Sequence, residues 1–386
     1  MACILKAPSG PHPGVVVFTT PERDGLIKVS PEGESAIRGL KPRWVVGLHH
    51  NWHDPSFAYD PLFDFSMAGE GDLGEADSDS APPLISLDAC NFVPEYFAIP
   101  NGAKFWDLLV VARPVGFKGY GDFFDMVRSL YDDGRRIRVL AICAMPPFDP
   151  QERGTVLFDI EETYEDTFDA EERKLFSLLV IRRDYPFPLD LATLAHFYRS
   201  SRVFAHFAPD ERRVRAAAYA WTAGLPVIGT APVASLLPTS LRSPPYFFEA
   251  NDTAEFAESA LSALATAIPS PNQAQRHFVE TKTAIDLVRQ LRERFPSLDE
   301  GADDWATSGL GIRLGRHHEL GFGPNNVGMG VLELVDLLSN NELAVRDAVS
   351  ESSDPEIWLS ERSDAEPWVR PTSPQQPLLT RLFGRK

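Results

Sequence analysis

The strongest constraint on the fold is an alternation of short apolar runs and helix-forming segments through the middle of this 386-residue chain. The first run, Trp106–Ala112, is almost continuously apolar, which is typical of a strand covered on both faces. Residues 122–131 follow with apolar side chains at helical spacing. The alternation then predicts strands at 136–144, 174–181, 202–206, 225–229 and 246–249, and helices at 189–200, 211–222 and 253–268. Strands that alternate with helices indicate a mostly parallel sheet, so the predicted fold class is α/β.

The texture of the sequence divides the chain into four regions. Residues 1–103 hold apolar runs at 14–20, 44–49 and 84–87, which predict strands of a small amino-terminal α/β lobe. Residues 104–270 form the larger α/β lobe. Residues 271–340 are predicted to be a helical segment that returns to the first lobe, with one long helix at 272–295 and another at 327–338. Residues 341–386 are a charged tail.

Two acidic stretches are predicted to be solvated connections. Residues 64–83 hold six Asp and Glu side chains and no Lys or Arg. A calcium loop is the alternative there, but the carboxylates lack the alternating spacing and the closing Glu of such a loop. Residues 159–166, with the sequence DIEETYED, are interpreted as a connection that leads to the strand at 174–181.

The overall charge argues against several classes of partner. With 55 acidic and 37 basic side chains the chain has a formal charge of −18, which disfavours non-specific binding to nucleic acid or anionic lipid. Cys3, Cys90 and Cys143 are too widely spaced for a metal motif or a disulfide framework, which indicates a reducing cytosol. No apolar run approaches the ~20 residues that cross a bilayer. We therefore expect a cytoplasmic protein with no nucleic-acid partner and no stable membrane insertion.

A pair of cations follows the first strand of the larger lobe. Arg113 and Lys118 lie on the loop between Trp106–Ala112 and the next predicted helix. Loops at the carboxyl ends of parallel strands form the ligand crevice of open α/β sheets. Two cations beside a helix N-terminus suit a diphosphate, and a pair of solvated surface cations is the alternative on spacing alone.

A second candidate region surrounds the helix predicted at 211–222. Glu211 stands at the start of that helix, where a carboxylate either favours the helix dipole or accepts hydrogen bonds from a ribose. Gly224 follows the helix and precedes an apolar strand, so it is interpreted as a structural C-cap.

Taken in order, these motifs resemble the nucleotide-sugar domain of GT-B glycosyltransferases, in particular the large retaining group known as family 4. The matching positions are Arg113, Lys118 and Gly119, the helix end at Tyr198, Arg199 and Ser200, Glu211, and the turn at Gly224, Pro226 and Val227. Together they span about residues 105–268. The resemblance implies a GT-B-like fold in which two Rossmann-like lobes face each other across a cleft, with the amino-terminal lobe reduced.

The resemblance also implies an activity. It implies a glycosyltransferase that moves a sugar from a nucleotide-activated donor to a glycan or other hydroxyl acceptor, with retention and without a metal or cofactor. Arg113, Lys118, Gly119 and Glu211 would bind the donor. Tyr219 occupies the family's second Glu position, and its hydroxyl would replace hydrogen bonds but not the charge. This departure leaves open a non-catalytic sugar-nucleotide or glycan-binding protein, or a sugar-nucleotide epimerase, on the same scaffold.

Histidines cluster after the strand predicted at 44–49. His49, His50 and His53 are followed by Asp54. By resemblance His50, or else His49, is the candidate catalytic contact to the acceptor or the transferred sugar. A metal site and ordinary loop histidines at a strand end are the alternatives. Residues 316–319, in a Gly-rich stretch, match no motif and are expected either to face the cleft or to form a surface loop.

Overall fold

The computed structural model describes residues 3–50, 58–69, 82–99, 103–144, 152–181, 189–209, 214–267, 271–300, 303–314 and 338. Within these residues the chain forms two β-sheets with helices packed on them, so the predicted α/β class is confirmed. The strands are β1 (Cys3–Lys6), β2 (Gly14–Thr19), β3 (Trp44–His49), β4 (Phe65–Met67), β5 (Leu84–Ile85), β6 (Trp106–Ala112), β7 (Val139–Ala144), β8 (Phe176–Ile181), β9 (Ser201–His206), β10 (Val227–Gly229) and β11 (Phe247–Glu249).

The helices alternate with these strands through most of the chain. They are α1 (Thr20–Glu22), α2 (Pro31–Leu40), α3 (Tyr120–Asp132), α4 (Glu152–Thr167), α5 (Leu191–Arg199), α6 (Arg215–Thr222), α7 (Ala231–Ser235), α8 (Thr253–Ala265), α9 (Pro271–Phe278), α10 (Glu280–Arg294) and α11 (Leu310–Arg313).

The first sheet has the order β1-β2-β3-β4-β5 and is parallel except for β1, which runs antiparallel to β2. Helix α2 connects β2 to β3. It begins at an N-cap, Ser30, whose hydroxyl accepts a hydrogen bond from the Gly33 N–H at 3.2 Å. Its apolar side chains Ile37 and Leu40 are buried with β2 and β3. Every residue of these two strands is buried, so this lobe has a core of its own.

The second sheet is fully parallel and has the order β11-β10-β9-β6-β7-β8. Counted with β6 as its first strand, this is the 3-2-1-4-5-6 order of a Rossmann fold. The chain moves from β6 outward through β7 to β8 and then returns to the other side of β6 at β9. Two Rossmann-like sheets, of which the amino-terminal one is smaller, agree with the predicted GT-B-like class.

Helices cover both faces of the second sheet because successive strand side chains point to opposite sides. Leu108 packs in the apolar cluster that contains α3 and α8, whereas its neighbour Leu109 packs in the cluster that contains α5 and α6. Val139 and Leu140 divide between the same two clusters. A strand with apolar residues on both faces therefore appears in the sequence as an uninterrupted apolar run.

The single helix predicted at 272–295 is wrong. Helix α9 ends at Phe278, and α10 begins at Glu280, because Val279 adopts an extended backbone conformation (φ −68°, ψ 124°). Val93 forms a bridge to Val279 there. Its N–H donates to the Phe278 carbonyl at 2.7 Å, and its carbonyl accepts from the Glu280 N–H at 2.9 Å. Helical periodicity does not reveal a bridge to a residue so distant in sequence.

Both acidic stretches contain regular structure that the sequence analysis did not predict. Residues 159–166 lie within α4, whose Leu157 and Ile160 are buried in the core of the second lobe. The start of the 64–83 stretch contains β4, which pairs with β3 and β5, and residues 70–81 lie outside the described residues. Strand β1 and helix α2 were also not predicted, and of the helix predicted at 327–338 only Leu338 is described.

The segment after α9 packs on the first sheet. Ala284, Leu287 and Leu291 of α10 are buried with β2 and β4 side chains in one apolar cluster. Trp305 forms an antiparallel bridge with Lys6, and the Ala306 N–H donates to the Leu5 carbonyl at 2.8 Å. The boundaries at 103, 270 and 340 stay predictions. Among the described residues, no helix combines the length and apolar character that crossing a membrane requires.

Candidate functional site

The strand order singles out one place on the second sheet. The chain leaves β6 toward β7 on one side, while β9 lies on the other side of β6. The helices that follow these two strands, α3 and α6, pack on opposite faces of the sheet, and open α/β sheets bind ligands in the crevice beside the carboxyl ends of two such strands. The β6–α3 loop at this point carries three of the residues that the sequence analysis selected: Arg113, Lys118 and Gly119.

The β6–α3 loop is a compact turn. The Val115 N–H donates to the Arg113 carbonyl at 2.9 Å, and the Lys118 N–H donates to the Val115 carbonyl at 3.0 Å. Residues Gly116–Lys118 form one turn of 3-10 helix that leads into α3. The Tyr120 hydroxyl, on the first residue of α3, donates to the Ala112 carbonyl at 2.9 Å and holds the two ends of the loop together. Arg113 and Lys118 thus lie on one short turn at the N-terminus of α3.

Gly119 is required where the two loops meet. Its φ is +68°, in the left-handed region that favours glycine. A Cβ at this position would lie 2.9 Å from both the Cβ and the carbonyl oxygen of Phe207, the residue that follows β9. The resemblance selected Gly119 as part of a motif. The structure gives a physical reason, because only a residue without a side chain lets the loop after β6 approach the loop after β9.

The last residue of β9 is a histidine that the sequence analysis did not select. His206 ends β9, is buried, and stands in register with Gly229 at the end of β10. The residue that follows β10, Thr230, has a buried hydroxyl with no hydrogen-bond partner among the described residues. The strand predicted at 202–206 ends at His206, and this position at the carboxyl end of a strand was the feature of the sequence that could have identified it as a candidate site residue. Glu211 lies outside the described residues, and α6 begins at Arg215, later than the predicted 211.

Tyr219 lies in an aromatic cluster on α6. Its ring stacks on Phe97 with the centroids 4.4 Å apart and meets Tyr198 edge-on at 6.1 Å. Burial raises the pKa of the Tyr219 hydroxyl, and Arg215 partly opposes this rise. A neutral phenol in such surroundings packs and forms hydrogen bonds but supplies no charge. Its donor-binding role stays a prediction.

Two of the candidate histidines, His49 and His50, lie at the carboxyl end of β3. His49 and His50 are both buried, and the His50 N–H donates to the Met67 carbonyl of β4 at 2.7 Å. Glu22, which the sequence analysis did not select, is buried at the end of the neighbouring strand β2, where it accepts from the Thr19 N–H at 2.7 Å. His50 thus stands at the carboxyl edge of its sheet. His53 and Asp54 lie outside the described residues.

No metal centre is evident in the part of the chain that the structure describes, and the thiol near the end of β7 is not activated. No group of three or more His, Cys, Asp or Glu side chains there is arranged to hold a metal ion. Burial raises the pKa of the Cys143 thiol, near the end of β7, to about 11, so this thiol is protonated at neutral pH. The polar groups that the structure describes at the carboxyl ends of β3, β6 and β9 are cations, backbone N–H groups and histidines.

Comparisons with known proteins gave structural matches only. No protein-family model matches the chain, and no curated protein matches its sequence. Among solved structures, the pneumococcal O-GlcNAc transferase GtfA in complex with UDP and GlcNAc is 10% identical with a TM-score of 0.43. The match covers 68% of this chain and 55% of GtfA, so the chain spans about half of that protein.

Two further structures match at a similar level. A structure described as trehalose-6-phosphate from E. coli bound with UDP-2-fluoro glucose is 13% identical over 69% of this chain and 71% of that one, with a TM-score of 0.47. TarM is 12% identical over 73% of this chain and 54% of its own, also with a TM-score of 0.47. All three TM-scores lie below 0.5.

Proposed function

We propose that the protein is a glycosyltransferase that uses a nucleotide-activated sugar. The observation that carries this proposal is the turn at the carboxyl end of β6, beside β9. This turn holds both Arg113 and Lys118 at the N-terminus of α3. On a molecule of net charge −18, this turn provides local positive charge where a Rossmann-like sheet opens to ligands.

The reaction requires stabilisation of the leaving group. An acceptor hydroxyl oxygen bonds to the anomeric carbon, the bond from that carbon to the diphosphate oxygen breaks, and the hydroxyl proton passes to the departing diphosphate. Negative charge grows on the diphosphate in the transition state, where fixed positive groups are most effective. Arg113, Lys118 and the first N–H groups of α3 would supply them without a metal or other cofactor, and Gly119 would keep the turn close to the loop after β9.

The remaining roles follow from the resemblance and from the position of the residues in the fold. His50, at the carboxyl edge of the first sheet, would contact the transferred sugar or the acceptor across a cleft between the lobes. Glu211 would accept hydrogen bonds from the donor ribose, with Tyr219 near the position of a second carboxylate. From the resemblance to the retaining group, we propose that the configuration of the donor sugar is kept, in which case no dedicated protein nucleophile is needed.

The decisive experiment removes both cations of the turn. Donors are first identified by thermal shift with a panel of sugar nucleotides, since a ligand of the folded state raises the melting temperature. In Arg113→Ala/Lys118→Ala we expect the shift to disappear and transfer to fall by at least about 100-fold, as for other losses of transition-state charge stabilisation.

The matched control removes two exposed cations outside the site. Lys174 pairs with Glu171 at 2.5 Å, and Arg289 of α10 pairs with Glu293 at 2.6 Å. Lys174→Ala/Arg289→Ala changes the net charge by the same amount and should leave donor binding intact. If both double variants behave alike, or if Arg113→Ala/Lys118→Ala transfers sugar normally, the proposed diphosphate seat is wrong.

A second candidate is a non-catalytic protein that binds a sugar nucleotide or a glycan. The observation that favours it is the aromatic packing of Tyr219, which stands where the resemblance expects a carboxylate. This candidate predicts donor binding that depends on Arg113 and Lys118 but no turnover with any acceptor. Tyr219→Glu should leave such a protein without transfer activity. In a transferase with residual activity, the same substitution should change the rate of transfer.

A further inference from the structure

A basic surface lies at the amino edge of the second sheet, at the opposite end of the strands from the candidate site. We call it the basic edge and define it as Lys104, Phe105, Arg138, Arg199 and Arg202. These residues flank the starts of β6, β7 and β9, which are neighbours in the sheet. At about 3.3 Å per residue, β6 separates the basic edge from Arg113 by roughly 25 Å, so the two regions can be changed independently.

Direct contacts join the members of the basic edge. The Lys104 Nζ donates to the Arg199 carbonyl at 2.9 Å, and the Phe105 N–H donates to the Ser200 carbonyl at 2.7 Å. The Arg138 guanidinium lies 4.9 Å from the centre of the Phe105 ring. Three strand starts therefore present one continuous surface.

Positive charge exceeds negative charge within this surface. The Asp107 carboxylate lies 3.0 Å from the Arg202 guanidinium and also accepts from the backbone N–H of Arg138 at 2.9 Å. The crowding is evident at Lys104, where burial and the neighbouring Arg202 lower the pKa to about 8. Nearby, Arg135 and Arg136 share a turn with the acids 132 and 133, and Asp132 pairs with Arg128 at 2.9 Å.

The basic edge also exposes an aromatic ring. Phe105 is 54% exposed, and the edge of Trp106 lies against it with the ring centroids 4.7 Å apart. An exposed ring beside the Arg138 guanidinium fits a partner segment that carries both acidic and apolar side chains, because aromatic rings and Arg supply most of the energy at protein interfaces.

We propose that residues 351–366 of this same chain dock on the basic edge. This segment, ESSDPEIWLSERSDAE, has six acidic residues and one basic residue. Its apolar centre, Ile357, Trp358 and Leu359, stands between the acids, as Phe105 stands between the cations. The segment and the basic edge are therefore opposite in charge, and each contains an aromatic side chain.

The chain is long enough for this contact. Leu338 is held in the first lobe, where its carbonyl accepts from the Trp44 indole N–H at 3.2 Å. From Leu338 to Trp358 the extended chain reaches up to about 65–70 Å, at ~3.3–3.6 Å per residue. A compact body of the described size has a radius of gyration of about 20 Å. The segment can therefore reach the second lobe from its attachment on the first.

The test uses the full chain with a photo-crosslinking benzoylphenylalanine in place of Phe105. We expect irradiation to link this position to residues 351–366 within one molecule, as identified by mass spectrometry of the digested protein. Arg138→Glu should reduce the yield of this link at least about fivefold, and Arg138→Lys should largely retain it. Raising the ionic strength from about 0.1 to about 1 M, which shortens the Debye length from ~10 to ~3 Å, should also reduce it.

The matched control places the same crosslinker at Phe158, which is 64% exposed on the acidic helix α4 and should give no link to residues 351–366. Links from position 105 to other segments, or a yield that is independent of charge and salt, would overturn the proposal. Mixing isotopically heavy and light protein distinguishes links within one molecule from links between two molecules. Links found only between two molecules would show that a second copy of the chain, and not its own segment, occupies the basic edge. Arg138-dependent sedimentation with phosphatidylglycerol vesicles would assign it to anionic lipid.

Discussion

The approach of the two loops at Gly119 gives a quantitative prediction for Gly119→Ala. A left-handed backbone costs a non-glycine residue about 1–2 kcal/mol. The new Cβ would lie 2.9 Å from the Cβ and from the carbonyl oxygen of Phe207, and forcing such a contact apart costs about 1–3 kcal/mol. We therefore expect the free energy of unfolding to fall by about 2–5 kcal/mol, and nucleoside diphosphate binding to weaken as the loops separate.

Gly134 provides the control for the backbone contribution. Its φ is +76°, but a Cβ there would meet nothing within 4 Å. Gly134→Ala should therefore lose only about 1–2 kcal/mol and leave diphosphate binding unchanged. Urea unfolding of both variants measures the difference, which isolates the contact with Phe207. Equal destabilisation of the two variants, or unchanged diphosphate binding in Gly119→Ala, would refute the claim that the loops after β6 and β9 meet at this glycine.

Two further predictions concern the second lobe. Phe168→Ala removes a fully buried ring that packs edge-on against Phe124 and Phe176, so it should cost about 3–5 kcal/mol in urea unfolding. The exposed Phe158→Ala should change stability by less than about 0.5 kcal/mol, and a similar loss in both would contradict the packing. For Lys104 the folded-state pKa of about 8 lies below the ordinary 10.5, so the unfolded chain binds more protons between these values and its contribution to stability rises with pH across that window. The wild type should therefore gain stability relative to Lys104→Met between pH 8 and 10.5, and a constant difference would show that the Lys104 pKa is not lowered.

Much of the second lobe could be predicted from the sequence because its elements are determined locally. The apolar run Trp106–Ala112 coincides with β6, and the helix predicted at 189–200 contains α5. The cations Arg113 and Lys118 could be placed after a strand for the same reason. Where the predictions failed, distant contacts override the local pattern. Val93 interrupts the helical periodicity at Val279, and burial of Leu157 and Ile160 stabilises a helix in a stretch that appears only acidic.

The residues of the candidate site could also be predicted only in part from the sequence. His206 was not selected because a single histidine in a mostly apolar strand forms no recognisable motif. Glu22 was missed although Thr19 and Glu22, three residues apart, form a capping box that the sequence itself displays. Tyr219 was identified by its position in a motif. Its packing on Phe97 could not be predicted, because it depends on a contact between α6 and the segment before β6.

The sequence by itself determined the class of fold, because hydrophobic periodicity encodes strands and helices within a few neighbouring residues. It also determined the presence of two cations between a strand and a helix. Only the tertiary structure decided that β9 lies beside β6 and that Phe207 consequently meets Gly119. It also decided that Arg113 and Lys118 lie at the carboxyl edge of the sheet, where the strand order reverses. Strand order depends on pairings between residues far apart in the chain, and no local pattern of side chains specifies which strands become neighbours.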